Sequence, residues 1–351
     1  MKRLLTLLIL VLLLPAAHGL TLAVSPATVT NDFIGQISLN VSNLTTGHSI
    51  RVERFLDANG NGVIDPGETS FQTFIVTNGQ LPLIGGVRNL NVPGDEDLAS
   101  NTTIQTKVPY PDLSGTLGEI AAKWLYRVTD LSNGSSVTNA FTTLQKIYPQ
   151  GITGKVVAVG TGTPITNCPL VLINPNANGG VGAMTDTNGN YIFYCAPGQY
   201  VVLPIAFNVI SDQSLGVTVV SNTFTANNLT NAFADRTISG SVTDSQTSAG
   251  IAGVFLQLQT SASLFAIAFT DTNGNYTAQV NSGQWKVNVN GDGGEVQGYV
   301  NQSSKINTNT AAGNVTGINF QLTKSATVTP SNESIFNRCP DFTWAEIFTA
   351  H

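Results

Sequence analysis

The sequence predicts an all-β chain of tandem Greek-key sandwiches, and three observations carry that expectation. Short runs of alternating apolar and polar residues, bounded by Asn-Gly, Pro and Gly, recur along the whole length. Long stretches of 3.6-residue periodicity are absent. Two segments of the second half match each other at an offset of about 85 residues, which marks a duplicated unit. With 351 residues, two or three domains are expected.

The first nineteen residues read as an export signal. Lys2 and Arg3 precede an apolar run from Leu4 to Leu14, Pro15 ends it, and Ala17-His18-Gly19 places small residues at a cleavage site. That run is too short for a comfortable membrane span, and no later segment is apolar enough to cross. The chain carries a net charge of −6 and only 10% charged residues. Lacking a basic stripe, it offers nothing for a phosphate backbone, so nucleic acid is not an expected partner. Asn-x-Ser/Thr triplets at Asn40, Asn101, Asn228, Asn275 and Asn314 are what an Asn- and Thr-rich chain contains by chance, and matter only in a glycosylating host.

Residues 20–149 are predicted to form an immunoglobulin-like sandwich. Its strands are read at Leu22–Val24, Ile37–Val41, Ile50–Glu53 and Trp124–Val128. Inside this region, Asp57 to Glu68 fits the twelve-residue calcium loop position by position. Asp57, Asn59, Asn61, Asp65 and Glu68 supply side-chain oxygens, Gly62 makes the sharp turn, and the carbonyl of Val63 completes the shell. Calcium takes six to eight oxygens, and this spacing wraps them about one point. The loop resembles those of EF-hands and dockerins. It departs from them in being flanked by strands, and Pro66-Gly67 disfavours an exiting helix. Asn at the third and fifth positions leaves only three carboxylates, so affinity of the extracellular class, about 10⁻⁴–10⁻³ M or somewhat tighter, and a structural role are expected. An acidic Asn/Gly-rich turn is the plainer alternative.

The repeat occupies residues 150–235 and 236–323. Gly151–Val156 matches Ile238–Val242, and Pro169–Ile173 matches Gly253–Leu258. Thr185–Tyr191 repeats as Thr270–Tyr276, both reading Thr-Asp-Thr-Asn-Gly-Asn-Tyr. Gly198-Gln199-Tyr200 repeats as Gly283-Gln284-Trp285, and Asn228–Phe233 is aligned with Asn314–Phe320. In the heptapeptide, Asn-Gly accepts positive φ angles and the Asp caps the turn's N–H groups. Tyr200 and Trp285 read as core aromatics, with a sugar-stacking platform as the alternative.

These motifs together resemble the carboxypeptidase regulatory-like domain, a transthyretin-like (prealbumin-like) Greek-key sandwich related to the B-type repeats of bacterial collagen adhesins. The resemblance covers about residues 150–323 and implies non-catalytic spacers, stability modules or docking platforms in secreted and surface proteins. Some adhesin relatives carry a Lys–Asn isopeptide bond, and Lys155 occupies the corresponding strand. Its counterpart is Ser241 and no acidic catalyst is evident, so a surface Lys is the better reading.

Cys168 and Cys195 flank core strands of the first repeat, where the second has Ala252 or Gly253 and Val280. In an oxidising compartment a disulfide between them is the simplest expectation, with two buried thiols as the alternative. Cys339 lies alone in the tail. Residues 324–351 read as the opening strands of a further fibronectin-III-like module, or a tail, of a truncated chain.

Chemistry is not evident. Beyond the leader only His48 and His351 remain, and no nucleophile elbow, zinc-protease, phosphate-loop or dinucleotide motif occurs. Gly291–Gly294 reads as a loop, and the acids Asp95, Glu96 and Asp97 as solvated loop. The expectation is a secreted or cell-surface, non-enzymatic chain of three sandwiches set end to end like beads. It would be stabilised by Ca2+ and serve as spacer or adhesion segment toward an extracellular protein or polysaccharide. The alternative is a set of carbohydrate- or ligand-binding accessory modules of a larger secreted enzyme.

Overall fold

A computed structural model describes residues 19–68, 70–84, 86–111, 119–174, 180–213, 216–289, 293–300 and 304–324. The leader, part of the Gly291 loop, and the tail with Cys339 and His351 lie outside the described residues. The described residues are all-β, with a single turn of 3₁₀ helix at Glu295–Gln297.

Alternation decides the first sandwich. Its strands are β1 (Thr21–Ser25), β2 (Thr28–Thr30), β3 (Gly35–Ser42), β4 (Ser49–Asp57) and β5 (Ser70–Thr77). They are followed by β6 (Leu83–Ile84), β7 (Val87–Arg88), β8 (Thr103–Tyr110), β9 (Lys123–Asp130) and β10 (Ser136–Leu144). Sheet β1-β3-β8 packs on sheet β2-β10-β9-β4-β5. Ile37, Leu39 and Val41 of β3 alternate into one core with Ile50 and Val52 of β4 and Trp124, Tyr126 and Val128 of β9. All four strands expected in this region are present.

The repeats build two further pairs of sheets. The first uses β11 (Gly151–Ala158), β12 (Pro169–Ile173), β13 (Gly180–Met184), β14 (Asn190–Tyr194), β15 (Gly198–Pro204) and β16 (Val209–Asp212). It adds β17 (Gly216–Val219), β18 (Phe224–Ala226) and β19 (Leu229–Phe233). The second uses β20 (Arg236–Asp244), β21 (Phe255–Gln259), β22 (Leu264–Phe269), β23 (Asn275–Val280), β24 (Gln284–Val289), β25 (Ser304–Asn309) and β26 (Phe320–Leu322).

Polar details repeat with the strands. Tyr191 and Tyr276 donate from their hydroxyls to the carbonyls of Asn227 (2.6 Å) and Ile318 (2.7 Å). Asn228 Oδ1 accepts from Lys155 N and Asn319 Oδ1 from Ser241 N, each at 3.0 Å. Leu229 stands beside Val156 and Phe320 beside Val242 in matching parallel pairs. Asn228 therefore corresponds to Asn319, five residues beyond the Asn314 that sequence alignment selects. The repeated Asn-x-Thr spacing misleads because the register is set by the buried Leu229 and Phe320, not by the amide.

The sandwiches are not set out like beads. Strand β16 pairs with β19 through Val209 and Ile210, and with β22 through Ser211 and Asp212, joining both repeats in one nine-stranded sheet. Ile120 of the N-terminal region bridges Gly182 of β13 in parallel. A Cβ on Gly182 would fall 2.5 Å from Ile120 Cγ1, so only glycine permits that approach. Phe71, Phe207, Phe255 and Phe269, from three different sandwiches, share one aromatic cluster. Burying these rings against one another removes more apolar surface from water than separated units could.

Candidate functional site: the 57–68 loop

The loop joins the end of β4 to the start of β5, and each turn in it follows from a local donor–acceptor pair. Asp57 ends β4 buried, at 3% exposure, with Lys123 of β9 opposite it in register. Its Oδ2 accepts from Gly62 N at 2.7 Å and lies 3.6 Å from Lys123 Nζ. Its other oxygen, Oδ1, is buried with no hydrogen-bond partner. A half-satisfied buried carboxylate is costly, so this oxygen is the one position in the loop that asks for a cation.

The remaining predicted ligands are held by hydrogen bonds within the loop. Asn59 Oδ1 accepts from Asn61 N at 3.0 Å and Asn61 Oδ1 from Val63 N at 2.8 Å, each keeping a second lone pair. Asp65 Oδ2 takes the amides of Asn59 and Asn61 at 2.6 and 2.8 Å. Glu68 grips both halves, accepting from Ala58 N on Oε1 at 3.1 Å and from Asp65 N on Oε2 at 3.0 Å. Gly60, Gly62 and Gly67 have positive φ, as tight reversals require. The donor set is oxygen-only and suits a hard cation. Among the described residues, no three His, Cys, Asp or Glu side chains gather close enough to form a metal cluster, and the Lys123 ammonium stands beside the carboxylate instead.

Other singled-out residues have structural places. Asp186 Oδ1 caps its turn by accepting from Asn188 N and Asn190 N at 2.8 Å, with Gly189 at φ 78°. Tyr200 and Trp285 are buried, their polar tips donating to the carbonyls of Ala196 (2.9 Å) and Asn281 (2.8 Å). The sugar platform is thereby replaced by the core reading.

Cys168 and Cys195 are free, buried thiols, and the expected disulfide is not formed. Cys168 N donates to Thr185 Oγ1 as Val254 N donates to Thr270 Oγ1, so Val254, rather than Ala252 or Gly253, is the counterpart of Cys168. Val280 ends the β20–β23 pair four residues after Tyr276, and Cys195 stands four residues after Tyr191, just past the end of β14. Both cysteines thus fill places that the second repeat gives to buried valine, and act as small hydrophobes. Burial pushes the Cys168 thiol up to about 12 and that of Cys195 up to about 11.

Sequence reasoning missed one acid. Asp95, read as solvated, is fully buried and accepts from Gly79 N (2.7 Å) and Gln105 N (3.0 Å), pinning the long β5–β8 connection. Its Pro/Gly-rich flanks advertise a loop but not its depth. Lys155 sits part-exposed opposite Asn190. His48, the one histidine among the described residues, has a buried Nδ1 without a partner, while nearby Asp130 takes the Ser132 hydroxyl on its own carboxylate. No helix among the described residues is long and apolar enough to cross a membrane.

No family model matches the chain, and no curated protein matches it. Among solved structures it is similar to the Bacillus anthracis TIE protein, with 11% identity, a TM-score of 0.22, and coverage of 87% of this chain and 58% of that one. A streptococcal ancillary pilin matches at 12% identity and TM-score 0.22, covering 80% of this chain and 92% of the pilin. BcpA, the major pilin subunit of Bacillus cereus, matches at 11% identity and TM-score 0.21, covering 62% and 70%.

Proposed function

We propose that this chain is a non-catalytic, secreted or cell-surface protein with a structural or adhesive role, whose N-terminal sandwich is stiffened by calcium in the 57–68 loop. The observation that carries the calcium reading is Asp57, whose carboxylate is buried with one oxygen unpartnered at the start of the twelve-position loop. Asp57, Asn59, Asn61, Asp65, Glu68 and the carbonyl of Val63 are the residues that would hold the ion. Bound calcium would supply charge neutralisation and a fixed loop shape, with no chemical step attached. The structural role is supported by the core placement of Trp124, Tyr200 and Trp285, which leaves no exposed tryptophan among the described residues for stacking a sugar. We read residues 150–323 as two carboxypeptidase regulatory-like units, a reading supported by the duplicated turns and tyrosine hydrogen bonds. Its partner is read as an extracellular protein.

Calorimetric titration of calcium into the full chain, beside an Asp57→Ala/Glu68→Ala control, tests the loop. Saturable heat lost in the control, with a raised melting temperature, supports the reading. No heat at millimolar calcium sinks it.

A further inference from the structure

We infer that the 57–68 loop controls how the sandwiches dock on one another, so that a cation in the loop closes the compact arrangement and its loss opens it. This inference rests on the calcium reading above and names what that site regulates.

The argument starts three residues past the loop. In the β4–β5 ladder Phe55 pairs with Ser70 and Arg54 with Gln72, which leaves Phe71 as the extra residue of a β-bulge. A bulge re-aims its side chain, and Phe71 is aimed at three partners at once. Its ring meets Trp124 of its own sandwich edge-on at 5.5 Å, Phe207 of the first repeat at 6.1 Å and Phe269 of the second at 4.9 Å. Two residues on, the backbone of Thr73 lies so close to Gly253 that a Cβ there would sit 2.9 Å from Thr73 N. The strand that leaves the loop is therefore one of the places where the other sandwiches rest, alongside the Ile120–Gly182 bridge.

The loop is placed to set that strand. Glu68, the last ligand position, ties Ala58 at the loop's start and Asp65 near its end to the entry of β5. Asp57, Asp65 and Glu68 bring three negative charges, and Lys123 is the cation paired with Asp57. Without a cation Asp57 Oδ1 stays buried and unpartnered at the end of β4, two residues beyond Phe55 at the bulge. The two repeats do not depend on it, because β16 holds them in one sheet. The motion expected is of the N-terminal sandwich against the fused pair, with Phe71 leaving its pocket.

Small-angle scattering of the full chain with calcium and with a chelator, run beside calorimetry on the same sample, tests the coupling. A compact chain of this length has a radius of gyration of about 20 Å. Chelation is expected to raise the measured value by roughly a third, as for separated sandwiches. Phe207→Ala is expected to expand the calcium-loaded chain while its calcium heat persists; it removes a contact ring from outside the loop and outside the first sandwich. Phe71→Ala should do the same if it folds by circular dichroism. Calcium heat with an unchanged radius on chelation and in Phe207→Ala overturns the coupling and leaves the calcium reading standing. Absence of calcium heat overturns both.

Discussion

The ammonium of Lys123 lies 3.6 Å from Asp57 Oδ2, across the β4–β9 pair, with the ammonium part-exposed and the carboxylate buried. The protein thus holds a tethered cation beside the place where calcium would bind. A part-exposed pair of this kind is worth about 0.2–1 kcal/mol. Replacing Lys123 with Ala is therefore expected to tighten calcium binding by about 1.4- to fivefold in calorimetry and to lower the melting temperature measured without calcium. Weaker calcium binding in Lys123→Ala would contradict competition between the two cations.

Two glycines fix the parallel closures of the repeats. A Cβ on Gly154 would lie 1.8 Å from the Asn227 carbonyl oxygen, and one on Gly240 1.9 Å from that of Ile318. Backbone stands in the way on both sides, so relief requires the strands to part. Gly154→Ala and Gly240→Ala are each expected to cost about 3 kcal/mol in denaturant unfolding. Gly216→Ala, whose Cβ meets only Tyr200 O at 3.8 Å, serves as the tolerated control.

Free, buried thiols make a chemical prediction. Cys168 and Cys195 are expected to ignore a thiol reagent in the folded chain and to react once denaturant unfolds it. Reductant should leave the melting temperature unchanged. A fall in melting temperature on reduction would show that the two form a bond after all.

Acid stability depends on Asp244. The N–H groups of Thr247 and Gln246 hold its carboxyl down to about 2, with the Tyr299 hydroxyl adding a third donor. A carboxylate depressed below its unfolded value of about 3.9 stabilises the fold above that pH and loses this contribution as pH falls toward about 2. Asp244→Asn is expected to be less stable at neutral pH and to show a flatter stability profile between about pH 4 and pH 2. A steeper acid limb in the variant would reverse the assignment.

Much of this was legible in residue order alone. Alternation reports which side chains face inward, so β1, β3, β4 and β9 and the buried Tyr200 and Trp285 followed from local pattern. The turns did too, because Asp186 and Gly189 act on residues at most four positions away. The loop's ligand types and spacing are likewise a local property of Asp57 to Glu68.

The all-β class, the duplication, the turn chemistry and the twelve-position loop are thus written in local residue patterns. Which unit each buried residue serves is settled by contacts between distant segments. Nothing in the local pattern sets Phe71, Phe207 and Phe269 apart as partners, because periodicity records burial and carries no label for the surface that does the burying. Strand β16 belongs to one repeat by sequence and to both by pairing, since main-chain hydrogen bonds recognise an edge and not a side chain. Cys168 and Cys195 promised a bond by compartment, yet their neighbours give them the places of valines. Only the folded chain shows that Asp57 is left with one oxygen unanswered, because that depends on distant Lys123 and on the depth of the strand end.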